Sequence, residues 1–319
     1  MKTNMSHLVS GMHLAAMMAM VASGDVRAQN KDVEGGFHMQ PKSVQHPDKA
    51  SAEIPLVRDA KMPGFIIIEA SVNGRKGAFL VDTGATPTVV DKSFAKALGL
   101  TLRSMDMKRM ATNVRADVLR MARIETLAVG TDVFKQFDVG VHDLSALNQS
   151  MEHPIDGIIG MNILGVSGCR IDTGTGRLTL YPAVPTSELA RKIAVLIEFV
   201  GTDEMFVTAQ INGRDVRMKI DTGATASFLG PGDWTAVMAS GATPAKVRPK
   251  ENLATINEVA AGDRKELSTQ FKLGYLSSND FPLVQGDYNL LGMNFLSRSI
   301  VTFDPKTQKV YFENIRAGK

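Results

Sequence analysis

Two aspartates, each in the same pentapeptide, carry the chemistry that can be read from this chain. Asp82-Thr83-Gly84-Ala85-Thr86 recurs as Asp221-Thr222-Gly223-Ala224-Thr225. A carboxyl group is a general base when ionised and a general acid when protonated. Two of them held face to face cannot both ionise comfortably, so they share a proton and divide the two roles. Such a pair can take a proton from water and give one to a carbonyl oxygen, with no covalent intermediate, metal or cofactor. The histidines suggest no rival metal site: His7, His13, His38 and His46 precede the expected folded body, and His142 and His153 have no counterparts in the second half. Cys169 is the one cysteine, which excludes an intramolecular disulfide and a Cys-based zinc site. It reads as a small buried hydrophobe.

Each aspartate needs an element that holds it still. Asp82 follows the apolar run Ala78-Phe79-Leu80-Val81, and Asp221 follows Met218-Lys219-Ile220. Both runs read as strands that begin after an Asn-Gly turn: 82 − 73 = 9 from Asn73 and 221 − 212 = 9 from Asn212. Asn-Gly between apolar runs is a strong hairpin signal. The expected strands of the first half are 54–57, 65–72, 76–81, 118–122, 125–129 and 137–141. Asp91 is placed to cap a short helix, 93–98, that Gly99 ends. The second half repeats this order with strands at 193–199, 206–211 and 216–220 and a helix at 231–239 that carries Trp234.

A further pair of matched segments follows. Ile158-Ile159-Gly160-Met161-Asn162 is answered by Leu290-Leu291-Gly292-Met293-Asn294. Each precedes a closing hairpin: 169–171 with 177–181, turning at Asp172, and 300–303 with 309–312, turning at Asp304. The glycine-to-turn spacing is the same, 172 − 160 = 12 and 304 − 292 = 12. Asp172-Thr173-Gly174 repeats the tripeptide but aligns with Asp304, so it reads as a turn former. The interval from the repeated aspartate to the glycine differs, 160 − 82 = 78 against 292 − 221 = 71, so the insertions lie in the middle of each half. A repeat this long is a duplicated domain rather than a solenoid unit. The expectation is an all-β chain with short helices, divided into an N-terminal lobe, 53–185, and a C-terminal lobe, 186–319.

At these residues the sequence resembles the retropepsin-like (clan AA) aspartic proteases, over roughly residues 53–314. The resemblance rests on apolar-apolar-Asp-Thr-Gly-Ala-Thr followed by apolar-apolar-Gly, with Lys219 a small departure in the second copy. It implies two acid-protease lobes, each giving one catalytic aspartate, Asp82 and Asp221. It implies that Thr83 and Thr222 hydrogen-bond across the lobe interface. Gly84 and Gly223 would allow close approach, and Ala85 and Ala224 would let a substrate backbone lie near. Ile159-Gly160 and Leu291-Gly292 would form the strand beneath each active-site turn. Retroviral members assemble this site as homodimers and pepsin-like members within one chain; this sequence resembles the single-chain arrangement, so a monomer is expected. The implied activity is endopeptidase hydrolysis of a peptide or protein substrate. The alternative is a peptide-binding module with the same fold and no hydrolysis. Family lobes carry a glycine-tipped flap; 103–120 has no glycine, whereas Ala260-Ala261-Gly262-Asp263 offers such a tip.

Bulk properties constrain the surroundings. The 319 residues carry a net charge of +3, too balanced to argue for nucleic acid or a membrane surface as partner. Residues 1–28 read as a signal peptide: Lys2, an apolar run 12–22, and Val26-Arg27-Ala28 as a cleavage site. The run is too short for stable membrane insertion. Export to the periplasm or medium is therefore expected. Residues 29–52, mostly polar with Gly35, Gly36, Pro41 and Pro47, read as a linker.

Overall fold

The computed structural model describes residues 37–46, 53–104, 120–189, 192–200, 204–248, 254–255, 258–259 and 264–313. The expected signal peptide lies outside the described residues. Of the expected linker, residues 37–46 are part of the N-terminal lobe. Ser43–Gln45 (β1) pairs antiparallel with Asp132–His142 (β8), from Ser43↔Lys135 to Gln45↔Val133. The ring of Phe37 lies under the Arg103 guanidinium, 4.6 Å from its centroid, and His46 Nδ1 sits 3.0 Å from Asp132 Oδ2. Composition suggested a free spacer because few apolar residues are present; backbone pairing to a sheet edge needs none. His38 and His46 thus belong to the folded body.

The chain is mostly β, in two similar lobes. In the N-terminal lobe Ile54–Val57 (β2), Ile67–Val72 (β3) and Arg75–Val81 (β4) run antiparallel. The β3–β4 turn holds Asn73 at φ 49° and Gly74 at φ 83°, the left-handed pair that a two-residue hairpin needs. Val89–Asp91 (β5) leads into Lys92–Ala97 (α1), whose first turn is capped by Asp91 Oδ1 accepting from the Ser93 N–H at 2.7 Å. Leu102–Ser104 (β6), Arg120–Val129 (β7) and β8 follow as a meander. The sequence suggested two strands where β7 is one. Its central Arg123 stands opposite Asp138 and forms an ion pair with it at 3.5 Å, so the polar break does not interrupt the ladder. Ser145–Asn148 (α2), Gly157–Ile159 (β9), Met161–Leu164 (α3), Gly168–Asp172 (β10) and Arg177–Tyr181 (β11) complete the lobe.

Thr186–Leu189 (α4) leads into the C-terminal lobe. The single strand expected at 193–199 is split into Ile193–Leu196 (β12) and Glu198–Val200 (β13), because the chain changes sheets there. Glu204–Ile211 (β14) and Arg214–Ile220 (β15) form the second Asn-Gly hairpin, with Asn212 at φ 48° and Gly213 at φ 78°. Phe228–Leu229 (β16), Pro231–Ala239 (α5), Thr243–Arg248 (β17), Ala254–Thr255 (β18), Glu258–Val259 (β19), Arg264–Leu273 (β20) and Leu276–Gln285 (β21) follow. Leu290–Leu291 (β22), Met293–Leu296 (α6), Ile300–Asp304 (β23) and Lys309–Glu313 (β24) close the lobe. Trp234 of α5 is buried.

The closing hairpins do more than end each lobe. β10 and β23 pair antiparallel, Cys169↔Phe303 to Ile171↔Val301, giving an inter-lobe sheet in the order β12-β24-β23-β10-β11-β2. Its apolar residues join one continuous core that spans both lobes, including Cys169, Ile171, Leu180, Val301, Phe303 and Phe312. Each buried aliphatic or aromatic side chain there contributes about 1.5–3 kcal/mol, so the two lobes are welded by a shared core rather than tethered. Burial pushes the Cys169 thiol up to about 12, which leaves it inert.

Candidate active site

Each aspartate is held by two parallel strands. β4 runs beside β9, pairing Val81 with Ile159, and the Asp82 N–H donates to the Ile159 carbonyl at 3.0 Å. β15 runs beside β22 in the same way, and the Asp221 N–H donates to the Leu291 carbonyl at 3.0 Å. The turns that follow lie on Gly160 and Gly292. A Cβ on Gly160 would come within 2.7 Å of the Pro87 carbonyl oxygen, and one on Gly292 would strike the carbonyl of Ala226. Glycine is required at both positions by close backbone approach. The N–H groups of Met161 and Met293 then donate to the Ala85 and Ala224 carbonyls, both at 2.8 Å.

The two turns lock onto each other through their threonines. The Thr83 N–H donates to Thr222 Oγ1 at 3.0 Å, and the Thr222 N–H donates to Thr83 Oγ1 at 3.1 Å. Each hydroxyl in turn donates to the opposite lobe: Thr83 Oγ1 to the Ile220 carbonyl at 3.0 Å, Thr222 Oγ1 to the Val81 carbonyl at 2.8 Å. All four bonds are buried, so each lost partner would leave an unsatisfied polar group costing about 1–3 kcal/mol.

This lock brings Asp82 and Asp221 together. Asp82 Oδ1 accepts from the Gly84 N–H at 2.6 Å and Asp221 Oδ1 from the Gly223 N–H at 2.9 Å. Each glycine faces the opposite carboxyl: a Cβ on Gly84 would lie 2.5 Å from Asp221 Cγ, and one on Gly223 2.6 Å from Asp82 Cγ. Neither glycine has positive φ, so room for the opposite carboxyl is the reason for glycine here. Burial, followed by the neighbouring Asp221 charge, pushes the Asp82 carboxyl well above its ordinary value, against the Gly84 N–H and Lys219. Burial also raises Asp221, opposed by Lys219, the hydrogen bond to Asp82 and the N–H groups of Gly223 and Ala224. Both carboxyls are thus raised, as expected of two acids that face each other out of water and cannot both ionise comfortably.

Residues 68–163 match the family model described as aspartyl protease, and residues 207–298 match that of the gag-polyprotein putative aspartyl protease. The chain belongs to the retropepsin-like aspartyl proteases. No curated protein matches it. Each retropepsin-like match falls within one lobe and contains one of the two aspartates.

Several residues that position this retropepsin-like site had no role assigned from sequence. Asn162 Oδ1 accepts from both the N–H and the hydroxyl of Thr88 at 2.8 Å, and Thr88 Oγ1 accepts from the Gly160 N–H at 3.2 Å. In the other lobe the Ser227 hydroxyl donates to Asn294 Oδ1 at 2.6 Å and accepts from the Gly292 N–H at 3.0 Å. These clamps tie each active-site loop to its underlying glycine. The signal was available: Gly-Met-Asn is repeated, and a hydroxyl stands six residues after each aspartate, 88 − 82 = 6 and 227 − 221 = 6. The hairpin asparagines also act beyond their turns. Asn73 Oδ1 accepts from the N–H groups of Glu125 and Thr126, and Asn212 Oδ1 from that of Gln270, pinning each hairpin to its neighbouring strand.

Other expected positions differ. Ala85 and Ala224 are buried, with their methyl groups packed into apolar clusters beside Leu80 and Val89 and beside Phe228 and Val284. Their small size suits this packing within each lobe. Asp172 lies in the β10–β11 turn, accepting from the N–H groups of Gly174 and Thr175 at 3.0 Å. Burial alone would raise its carboxyl, but the Thr175 and Gly174 donors and Arg170 outweigh it and hold it below the ordinary value. That environment is the reverse of the one around Asp82. Residues 260–263, the expected flap tip, lie outside the described residues. Just before them β18 pairs antiparallel with β19 as Ala254↔Val259 and Thr255↔Glu258. The matching region of the first lobe, 105–119, also lies outside the described residues.

Proposed function

We propose that this protein is an aspartic endopeptidase that cleaves peptide bonds with water activated between Asp82 and Asp221. The observation that carries the reading is the pair of buried carboxyls locked together across the two lobes. Ionised Asp221 takes a proton from the water, whose oxygen attacks the peptide carbonyl carbon. Protonated Asp82 gives its proton to the carbonyl oxygen, forming a neutral tetrahedral intermediate. Collapse breaks the C–N bond; the amine leaves with a proton from Asp221, and a hydroxyl proton returns to Asp82. The extended substrate lies between the lobes, bound mainly through its main chain. Both half-sites reside in one chain, so a monomer suffices.

Incubation of purified protein with a mixed peptide library, analysed by mass spectrometry, tests this reading. New termini at defined bonds are expected, with specific activity independent of dilution. Peptides retained but recovered intact would instead favour a binding module; activity that falls with dilution, after correction for surface loss, would require a dimer.

Export is part of the same proposal, supported by the apolar run at 12–22 and Val26-Arg27-Ala28. N-terminal sequencing of the native protein is expected to begin after Ala28. A mature chain that starts at Met1 in the cytoplasm would contradict it.

A further inference from the structure

One pair of equivalent positions beside the dyad is charged in one lobe and apolar in the other. In β15 Lys219 stands two residues before Asp221, where β4 has Leu80 before Asp82. The registers Ile67↔Leu80 and Phe206↔Lys219 make these positions equivalent, and by the same count Glu204 replaces Phe65. In the first lobe Phe65 and Leu80 are buried in an apolar cluster. In the second, Lys219 Nζ and Glu204 Oε1 form an ion pair at 2.9 Å, with only 14% and 12% of the two side chains exposed.

The fold does not call for this pair. The first lobe builds the same turn on apolar side chains, and a partly buried ion pair is weak evidence for stability, because desolvation offsets its attraction. Its placement points to the dyad. Side chains alternate along a strand, so Lys219 and Asp221 share a face about 7 Å apart along the backbone. Low exposure limits the screening of a charge at that range. The charged groups around it can be named element by element. On β15, Arg217 is bound to Glu198 at 2.8 Å and stacked on Phe206, and Asp215 is exposed. On β14, Glu204 is the partner already named. β22 and β16 carry no charged residue, and the first-lobe turn contributes Asp82.

We propose that Lys219, held in place by Glu204, is a positioning residue for the dyad whose charge keeps Asp221 ionised and the shared proton on Asp82. The Lys219 charge favours the ionised form of both carboxyls, but it is the foremost influence that does so at Asp221 and comes after the Gly84 N–H at Asp82. The duplicated site is thereby made unequal, with acid and base assigned to different lobes. The catalytic consequence rests on the endopeptidase reading; the electrostatic one does not.

The experiment follows the carboxyl carbons of Asp82 and Asp221 by NMR, through a pH titration of ¹³C-aspartate-labelled protein. Wild type is compared with Lys219→Met, Lys219→Arg, Glu204→Gln and the Lys219→Met/Glu204→Gln double variant. Both apparent ionisations of the pair should move to higher pH in Lys219→Met and in the double variant. They should hold in Lys219→Arg, and move to lower pH in Glu204→Gln, where the cation loses its counter-charge. In cleavage assays the pH profile should shift bodily in the same directions, with about a tenfold change in rate on a limb per unit of displacement. A pair that only braces the strand would instead make Lys219→Met and Glu204→Gln behave alike, with lower thermal midpoints and an unmoved titration; that result overturns the proposal. So does a shift in Lys219→Arg equal to that in Lys219→Met. If wild type cleaves no peptide while the titrations shift as stated, the endopeptidase reading fails and the electrostatic role stands.

Discussion

Asp82→Asn should lower peptide hydrolysis by at least about 10²–10⁴-fold, the usual contribution of one acid–base group. The substitution keeps the side chain's size but removes the carboxyl that holds the shared proton. Asp221 then ionises with no like charge beside it, and no acid remains for the carbonyl oxygen. Asp221→Asn should cost as much, because it removes the base. The double variant should be little worse than either single one, since the two groups act as a unit. Asp172→Asn is the control: its carboxyl caps a hairpin turn, so it should affect stability and spare hydrolysis. Loss of cleavage in Asp172→Asn with near wild-type rates in the other two would refute the assignment.

The same variant has a stability signature whose sign follows from the Asp82 environment. Its carboxyl is raised in the folded protein, by burial first and the Asp221 charge second. The folded state therefore binds that proton more tightly than the unfolded chain. The associated stability is full at low pH and is lost as pH rises through the folded-state value. The asparagine side chain of Asp82→Asn has nothing to titrate. At about pH 7 the variant should thus unfold at a higher temperature than wild type, and the gap should close on acidification into the range where Asp82 is protonated. A gap that widens in acid would show that Asp82 is not the protonated member.

Gly84→Ala and Gly223→Ala should each be nearly as damaging to hydrolysis as loss of an aspartate. The methyl added by Gly84→Ala would lie 2.5–2.7 Å from all three atoms of the Asp221 carboxyl group. That carboxyl has no free path of retreat, since its Oδ1 is held by the Gly223 N–H and its turn by the Thr83–Thr222 bonds. The lobes must part, or the carboxyls must lose their alignment. Misplacement by about 1 Å is enough to cost about 10²-fold. Gly232→Ala supplies the contrast: it lies in α5 with no atom near its missing Cβ, and alanine there should stabilise the helix by up to about 1 kcal/mol with activity intact. Measurement of kcat/KM and thermal midpoint for the three variants decides the matter. A Gly84→Ala enzyme with wild-type kcat/KM would mean that the dyad is looser than its geometry requires.

Much of this architecture is local, and local physics is legible in a sequence. Asn73-Gly74 and Asn212-Gly213 demand left-handed hairpin turns whatever surrounds them. Asp91 caps α1 because its side chain reaches an N–H two residues on. The equal Asn-to-Asp and Gly-to-turn intervals pointed to a repeated domain, because equal spacing preserves strand register. They also separated Asp172 from Asp82, two residues that open the same tripeptide and sit in opposite environments.

What the sequence could not show depends on contacts between segments distant in the chain. Composition marked residues 37–46 as spacer, whereas the free edge of β8 takes them in through backbone bonds that composition does not record. The β10–β23 pairing that welds the lobes joins segments over 100 residues apart, and nothing local specifies it. The alanines of the two turns were read by size alone; their burial in the apolar clusters of their lobes is visible only in the packing. The difference in surroundings between the two aspartates is also tertiary. The repeated pentapeptides are chemically identical, but a partly buried Lys219–Glu204 pair stands beside one of them where Leu80 and Phe65 stand beside the other. Period and spacing determine which residues share a face, but the charge felt by a carboxyl is summed over everything folded around it.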